Sequence, residues 1–89
     1  MYYVYRIRSR HYPKETYVGM TRSVDKRLAL HNAGEIKETR DFSPWRVSFY
    51  AAFSRKKRAE AFLDFLSTPE GTTFARRHLW QQVEDMDAR

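Results

Sequence analysis

Nine consecutive residues, Trp45 to Phe53, alternate without interruption. Trp45, Val47, Phe49, Ala51 and Phe53 fall on one side, and Arg46, Ser48, Tyr50 and Ala52 on the other. Successive side chains of a strand point to opposite faces, so this spacing predicts a half-buried β-strand over 45–53. Such a strand needs hydrogen-bonding partners and a cover for its apolar face, which commits the chain to a sheet with something packed on it. Two other segments have strand composition. Tyr2 to Arg8 is rich in tyrosine, valine and isoleucine, with Tyr3, Tyr5 and Ile7 on one face and Arg6, Arg8 and Arg10 on the other. Thr16 to Met20 follows a loop containing Pro13, and the pair predicts an antiparallel hairpin.

Helix signals fill the intervals. Ser23 has N-cap chemistry, and Asp25 places a carboxylate in the first turn, at the positive end of the helix dipole. Val24, Leu28 and His31 line one side of this helix, and Asn32-Ala33-Gly34 supplies its stop. Glu35 to Pro44 reads as a polar loop. Ser54 is the expected cap of a second helix running to about Leu66, with Ala59, Phe62, Leu63 and Leu66 as its apolar stripe. Residues 67–71 read as a break. A third helix then carries Phe74, Ala75, Leu79, Trp80 and Val83 and gives way to a polar tail over 84–89. The order β-β-α-β-α-α predicts an α/β (α+β) fold, a three-stranded antiparallel sheet flanked by helices. A single domain over 1–89, with its core over about 2–80, accounts for the whole chain. Strand order does not follow from the sequence.

Charge narrows the class of partner. The 89 residues carry 17 Lys and Arg against 11 Asp and Glu, a net charge of +6. Basic excess favours polyanions, and the guanidinium fork suits phosphate oxygens, so nucleic acid is the expected partner. Arg22, Lys26, Lys37 and Arg40 are candidate contacts, as is the run Arg55-Lys56-Lys57-Arg58. That run sits in the first turn of the second helix, where cations oppose the dipole. Without cysteine there is no disulfide frame and no cysteine-held metal. No apolar run reaches the ~20 residues of a membrane span, and the amino terminus lacks a signal-peptide layout, so a cytoplasmic protein without a membrane partner is expected. Nothing in the sequence calls for a small-molecule cofactor or sets the oligomeric state.

The stretch from Tyr17 to His31 carries the most chemistry. Tyr17-Val18-Gly19 closes a strand, and Arg27 and His31, four apart, share a helix face. A tyrosine, a glycine that lets backbone approach, a guanidinium and an imidazole make a phosphate-handling group. The residues alone equally permit cross-strand packing for Tyr5 and Tyr17 and a solvated helix face for Arg27 and His31.

Taken in order, these pieces resemble the GIY-YIG nuclease superfamily, most closely its small stand-alone bacterial members. Tyr3-Val4-Tyr5 matches the first motif with its leading glycine replaced, and Tyr17-Val18-Gly19 matches the second. Gly19-Met20-Thr21 through Arg27-Leu28 and His31 to Gly34 match the segment bearing the family arginine. Lys37, Thr39, Pro44-Trp45, Gly71, Phe74 and Leu79 match weaker positions. The resemblance implies metal-dependent hydrolysis of a DNA phosphodiester, with Mg²⁺ or Mn²⁺ as cofactor. Tyr5 and Tyr17 would orient the attacking water or take its proton. Arg27 would neutralise charge on the phosphoryl oxygens, and His31 would assist proton transfer.

The second helix departs from the pattern. Family members place a metal-binding glutamate there, in a segment resembling Ala-x-x-Phe-Glu-x-x-Leu-Lys. This chain has Ala59-Glu60-Ala61-Phe62-Leu63-Asp64-Phe65-Leu66-Ser67, so Leu63 stands where the glutamate belongs. Leucine offers no oxygen to a hard cation. Glu60, one turn earlier, is the candidate replacement ligand. Asp64 is adjacent but rotated about 100° around the helix. The resemblance therefore leaves an endonuclease acting through a displaced ligand, or a catalytically degenerate DNA- or RNA-binding module. A protein-interaction domain is the third class.

Overall fold

The computed structural model describes residues 1–80. Strands β1 (Tyr2–Ser9), β2 (Thr16–Thr21) and β3 (Trp45–Phe53) are interspersed with helices α1 (Val24–Asn32), α2 (Lys56–Leu66) and α3 (Pro69–Ala75). A 3₁₀ turn spans Arg40–Phe42, and a π-helical turn, Arg76–Trp80, continues α3. The sheet order is β2-β1-β3 with both pairings antiparallel, so the first strand of the chain is central. Burial follows from that place: Val4, Tyr5, Arg6, Ile7 and Ser9 are all buried, as expected of a strand covered on both faces. On one face Tyr5, Ile7 and Trp45 pack with Val24 and Leu28 of α1. The other face is covered by α2 and the segment after α3, with Phe53 against Phe62 and Phe49 against Trp80 at ring-centroid distances of 5.5 and 5.1 Å.

The predicted alternation of β3 is interrupted. Ile7 pairs with Val47 but Arg6 pairs with Phe49, which leaves Ser48 as an extra residue, a β-bulge. One inserted residue exchanges the faces of everything beyond it. Trp45 and Val47 therefore join the α1 side, while Phe49 and Phe53 meet Trp80 and Phe62 on the opposite side. The apolar residues expected on one face are divided between two. Ser48 is buried and donates its hydroxyl to the Arg6 carbonyl at 3.2 Å, so the bulge leaves no stranded polar side chain there. Arg6, also buried, lays its guanidinium over the Trp80 ring at 4.6 Å.

Helix ends follow the local chemistry with two differences. Ser23 caps α1, accepting from the Lys26 amide, and Gly34 takes φ 77° just past the helix, a backbone region that favours glycine. α2, however, has Arg55 rather than Ser54 at its N-cap and no side-chain capping bond. The extended backbone at Arg55 (φ −120°, ψ 134°) puts Ser54 one residue too early to reach the helical amides. The expected break over 67–71 is also shorter. Thr68 caps α3, accepting from the Gly71 amide, and Pro69 takes the first helical position, so Gly71 lies inside the helix. Val83 and the 84–89 tail lie outside the described residues. Among the described residues no helix is long and apolar enough to cross a membrane.

Candidate functional site

The hairpin register brings the two tyrosine motifs together. Tyr5 pairs directly with Gly19, and Ile7 with Tyr17, so both phenols rise from the α1 face of the sheet. Gly19 has a steric reason to lack a side chain. A Cβ there would lie 2.9 Å from the Tyr5 hydroxyl and 3.0 Å from Tyr17 Cε2. The space is taken by the two rings, whose centroids are 6.4 Å apart.

α1 supplies the other half. His31 is fully buried at the end of the helix and lies 5.2 Å from the Tyr17 ring, centroid to centroid. Its Nε2 is 2.8 Å from the Tyr5 hydroxyl and its Nδ1 is 2.7 Å from the Thr39 hydroxyl. The hydrogen-bond network assigns the protons. Thr39 Oγ1 also reaches the Ile36 carbonyl at 3.4 Å, which can only accept. Thr39 therefore spends its own proton there, His31 Nδ1–H donates to Thr39, and His31 Nε2 accepts from Tyr5. The result is a buried relay, Tyr5 to His31 to Thr39, that enters the loop after α1.

Sequence reasoning gives Thr39 no role beyond a weak motif match. Its partner lies eight residues back, and only tertiary structure turns a loop threonine inward. Trp45 holds it there by donating Nε1–H to the Thr39 carbonyl at 2.8 Å. Asn32, in sequence no more than part of a helix stop, has a structural task too. Its side chain donates to the Trp45 carbonyl at 3.1 Å and accepts from the Trp45 amide, joining the end of α1 to the start of β3.

Burial and the nearby Arg27 guanidinium lower the His31 pKa, against an upward pull from Glu38. Burial also raises the Tyr5 phenol above its usual value, while Arg27 acts in the opposite sense. At neutral pH the pair is thus a neutral imidazole accepting from a neutral phenol. A histidine with a lowered folded pKa stabilises the protein fully above its unfolded value, about 6.5. That contribution declines as the pH falls below about 6.5 towards the folded value, because the unfolded chain takes up the proton first. Melting temperature should therefore drop between about pH 7 and 5. In His31→Gln the decline should be shallower. An equal acid slope in wild type and variant would remove His31 as its source.

Arg27 is half-buried on α1. Its Nε is fully shielded from solvent and has no hydrogen-bond partner among the described residues. A buried guanidinium nitrogen without an acceptor costs on the order of 1–3 kcal/mol, and such groups call for an explanation.

The remaining sequence candidates scatter more widely. Arg22 is exposed, its guanidinium 4.7 Å above the Tyr2 ring. Lys56 joins Arg22, Tyr2, Met20 and Thr21 around a cleft of about 330 Å³, so the first turn of α2 meets the end of β2. Lys26 and Lys37 are exposed on α1 and the following loop, and Arg40 donates Nε–H to the Gly34 carbonyl at 3.1 Å. Arg55, Lys57 and Arg58 are exposed. Leu63 is half-buried, and Glu60 and Asp64 are exposed. Lys56, Glu60 and Leu63 stand at i, i+4 and i+7, so they share the flank of α2 that borders the β2 cleft.

A family model of the GIY-YIG catalytic domain matches residues 1–65. The match takes in Tyr5, Tyr17, Arg27 and His31 and reaches past Leu63 on α2. No curated protein and no solved structure matches the chain.

Proposed function

Because the chain belongs to the GIY-YIG catalytic-domain family, we propose that it acts on the phosphodiester backbone of DNA as an endonuclease. The observation that carries this reading is the orphaned Nε of Arg27, buried beside the Tyr5–His31–Thr39 relay. A phosphate oxygen supplies the acceptor this nitrogen lacks once the half-buried side chain turns to meet it. The guanidinium then opposes the charge that grows on the phosphoryl oxygens as water attacks. Tyr17, the less buried of the two tyrosines, meets and orients that water. Tyr5 stays inside, its hydroxyl donating to the neutral His31 Nε2, which fixes the phenol beside Tyr17.

When bound, a divalent ion such as Mg²⁺ or Mn²⁺ supplies a Lewis acid to such a reaction. The residues at the family's metal position do not fit one. Leu63 has no oxygen donor, both ring nitrogens of His31 are engaged, and no group of three or more metal-ligating side chains forms among the described residues. The apolar side chain at position 63 favours a second reading, a module that holds DNA or RNA without cutting it.

Nicking of supercoiled plasmid in Mg²⁺ or Mn²⁺ separates the two. The endonuclease reading expects wild-type nicking that falls about 100-fold or more in Arg27→Ala. If Glu60 replaces the missing carboxylate, Glu60→Gln loses activity as well. Wild-type rates in Glu60→Gln would end that assignment. Salt-sensitive binding with no cleavage in any divalent ion would establish the second reading instead.

A further inference from the structure

We propose that a cleft beside the Tyr5–His31 pair receives an unpaired base of the nucleic acid, so that the substrate includes a single-stranded segment. The inference rests on the nucleic-acid reading above and specifies what that site accepts. Tyr5 is the direct cross-strand partner of Tyr50 on β3, and opposed residues project to the same face. Tyr50 therefore stands next to the candidate catalytic group on the α1 side of the sheet. It is 59% exposed on an edge strand, an unusual setting for so large a ring. Tyr3 meets it at 6.0 Å with an interplanar angle of 64°, a T-shaped contact that leaves Tyr50 largely exposed. Val24 and Val47 form the apolar floor, and Arg22 and Asp25 stand at the rim, enclosing about 380 Å³.

Each wall matches part of a nucleotide. A base stacks on an open aromatic ring whatever its identity, because every base has a π face. The Asp25 carboxylate can accept from an exocyclic amine, and Arg22 can meet the adjoining phosphate. Charge complementarity selects this occupant over an apolar peptide. The chain carries +6, and Arg22 bounds both this cleft and the neighbouring one that holds Lys56. A base in a duplex keeps both faces stacked on its neighbours and has none to offer Tyr50. An unpaired base does.

Fluorescence anisotropy with a labelled oligo-dC strand of about 12 nucleotides, whose bases carry the exocyclic amine, and a duplex of equal length tests this directly. Tyr50 is exposed, so Tyr50→Ala leaves the core intact. That variant should bind the single strand about tenfold more weakly and the duplex within about twofold of wild type. Tyr50→Trp should keep the affinity, and its indole fluorescence should be quenched by the strand. An unchanged single-strand affinity in Tyr50→Ala, an equal loss on both substrates, or an unquenched Tyr50→Trp would each overturn the inference. If duplex binding still required Arg27 in those cases, the reading beneath it would survive. A wild-type protein that bound neither oligonucleotide would overturn both.

Discussion

Gly71→Ala should destabilise the fold by about 3 kcal/mol or more, the largest stability effect expected of a methyl added at any of the three glycines. A Cβ at Gly71 would fall inside the contact distance of the Phe65 carbonyl oxygen and crowd the carbonyl carbon and Leu66 Cα. These are backbone atoms at the end of α2, and no rotamer change relieves the clash. The junction is also tied by hydrogen bonds. The Thr68 hydroxyl donates to the Phe65 carbonyl at 2.6 Å and accepts from the Gly71 amide at 3.0 Å. Moving Gly71 away from Phe65 stretches the second.

The cost extends beyond the junction because α3 carries the cover for one sheet face. Phe74 packs on Phe65 at 5.9 Å, and Trp80, at the end of the following turn, covers both Phe49 and the Arg6 guanidinium. Displacing α3 uncovers a buried arginine as well as an aromatic contact. Denaturant unfolding should report the loss, and the melting temperature should fall by more than about 10 °C. A loss below about 1 kcal/mol would mean that α3 tolerates displacement and that the Trp80 cover adds little. Thr72→Ala, which removes only an exposed side chain bonded to the Leu66 carbonyl at 3.2 Å, is the natural control.

The parts of this fold legible in the sequence are those where one local rule decides. Ser23 and Gly34 bracket α1 because capping and positive φ are properties of single residues. The strands are legible because tyrosine, valine and phenylalanine alternate. The bulge at Ser48 is hidden for the same reason. β3 is apolar at 45, 47, 49, 51 and 53, and alternation looks the same whether one face or two are buried. Only the partner strand reveals that the faces exchange, and β1 does so by pairing Ile7 with Val47 and Arg6 with Phe49. The N-cap of α2 is misplaced for a subtler reason. Ser54 has the right chemistry, but the turn that follows β3 carries the chain one residue further before the helix begins.

The candidate site divides along similar lines. Arg27 and His31 share a face by helical spacing, and the tyrosines are brought near by the hairpin, so residue types and intervals are enough to find them. Thr39 escapes such reasoning, because a polar loop between α1 and β3 hides which hydroxyl turns inward. The relay it completes also answers a question spacing could not. His31 accepts through Nε2 because Thr39 has already committed the other nitrogen. Position 63 is the reverse case. Its leucine is plain in the sequence, and the structure adds only that it shares a flank with Lys56 and Glu60.

Gly19→Ala should uncouple the tyrosines from His31 while the fold survives. The added methyl would press on the Tyr5 hydroxyl at 2.9 Å, on Tyr5 Cζ at 3.1 Å and on Tyr17 Cε2 at 3.0 Å. Tyr5 is 1% exposed and its hydroxyl is held 2.8 Å from His31 Nε2, so it has little room to yield without breaking that bond. Overpacking of this size costs about 1–3 kcal/mol. Misplacing the group by about 1 Å should lower any nicking activity about 100-fold. Tyr5→Phe removes the oxygen that meets the methyl first, so the two changes should be strongly coupled. Gly19→Ala with Tyr5→Phe should be more stable than the two separate losses add up to, yet no more active than either. Additive losses would show that the new methyl is accommodated by backbone movement of β2 rather than by the Tyr5 ring. The glycine would then serve the edge strand, and the Tyr5–His31 bond would have to owe its geometry to α1 alone.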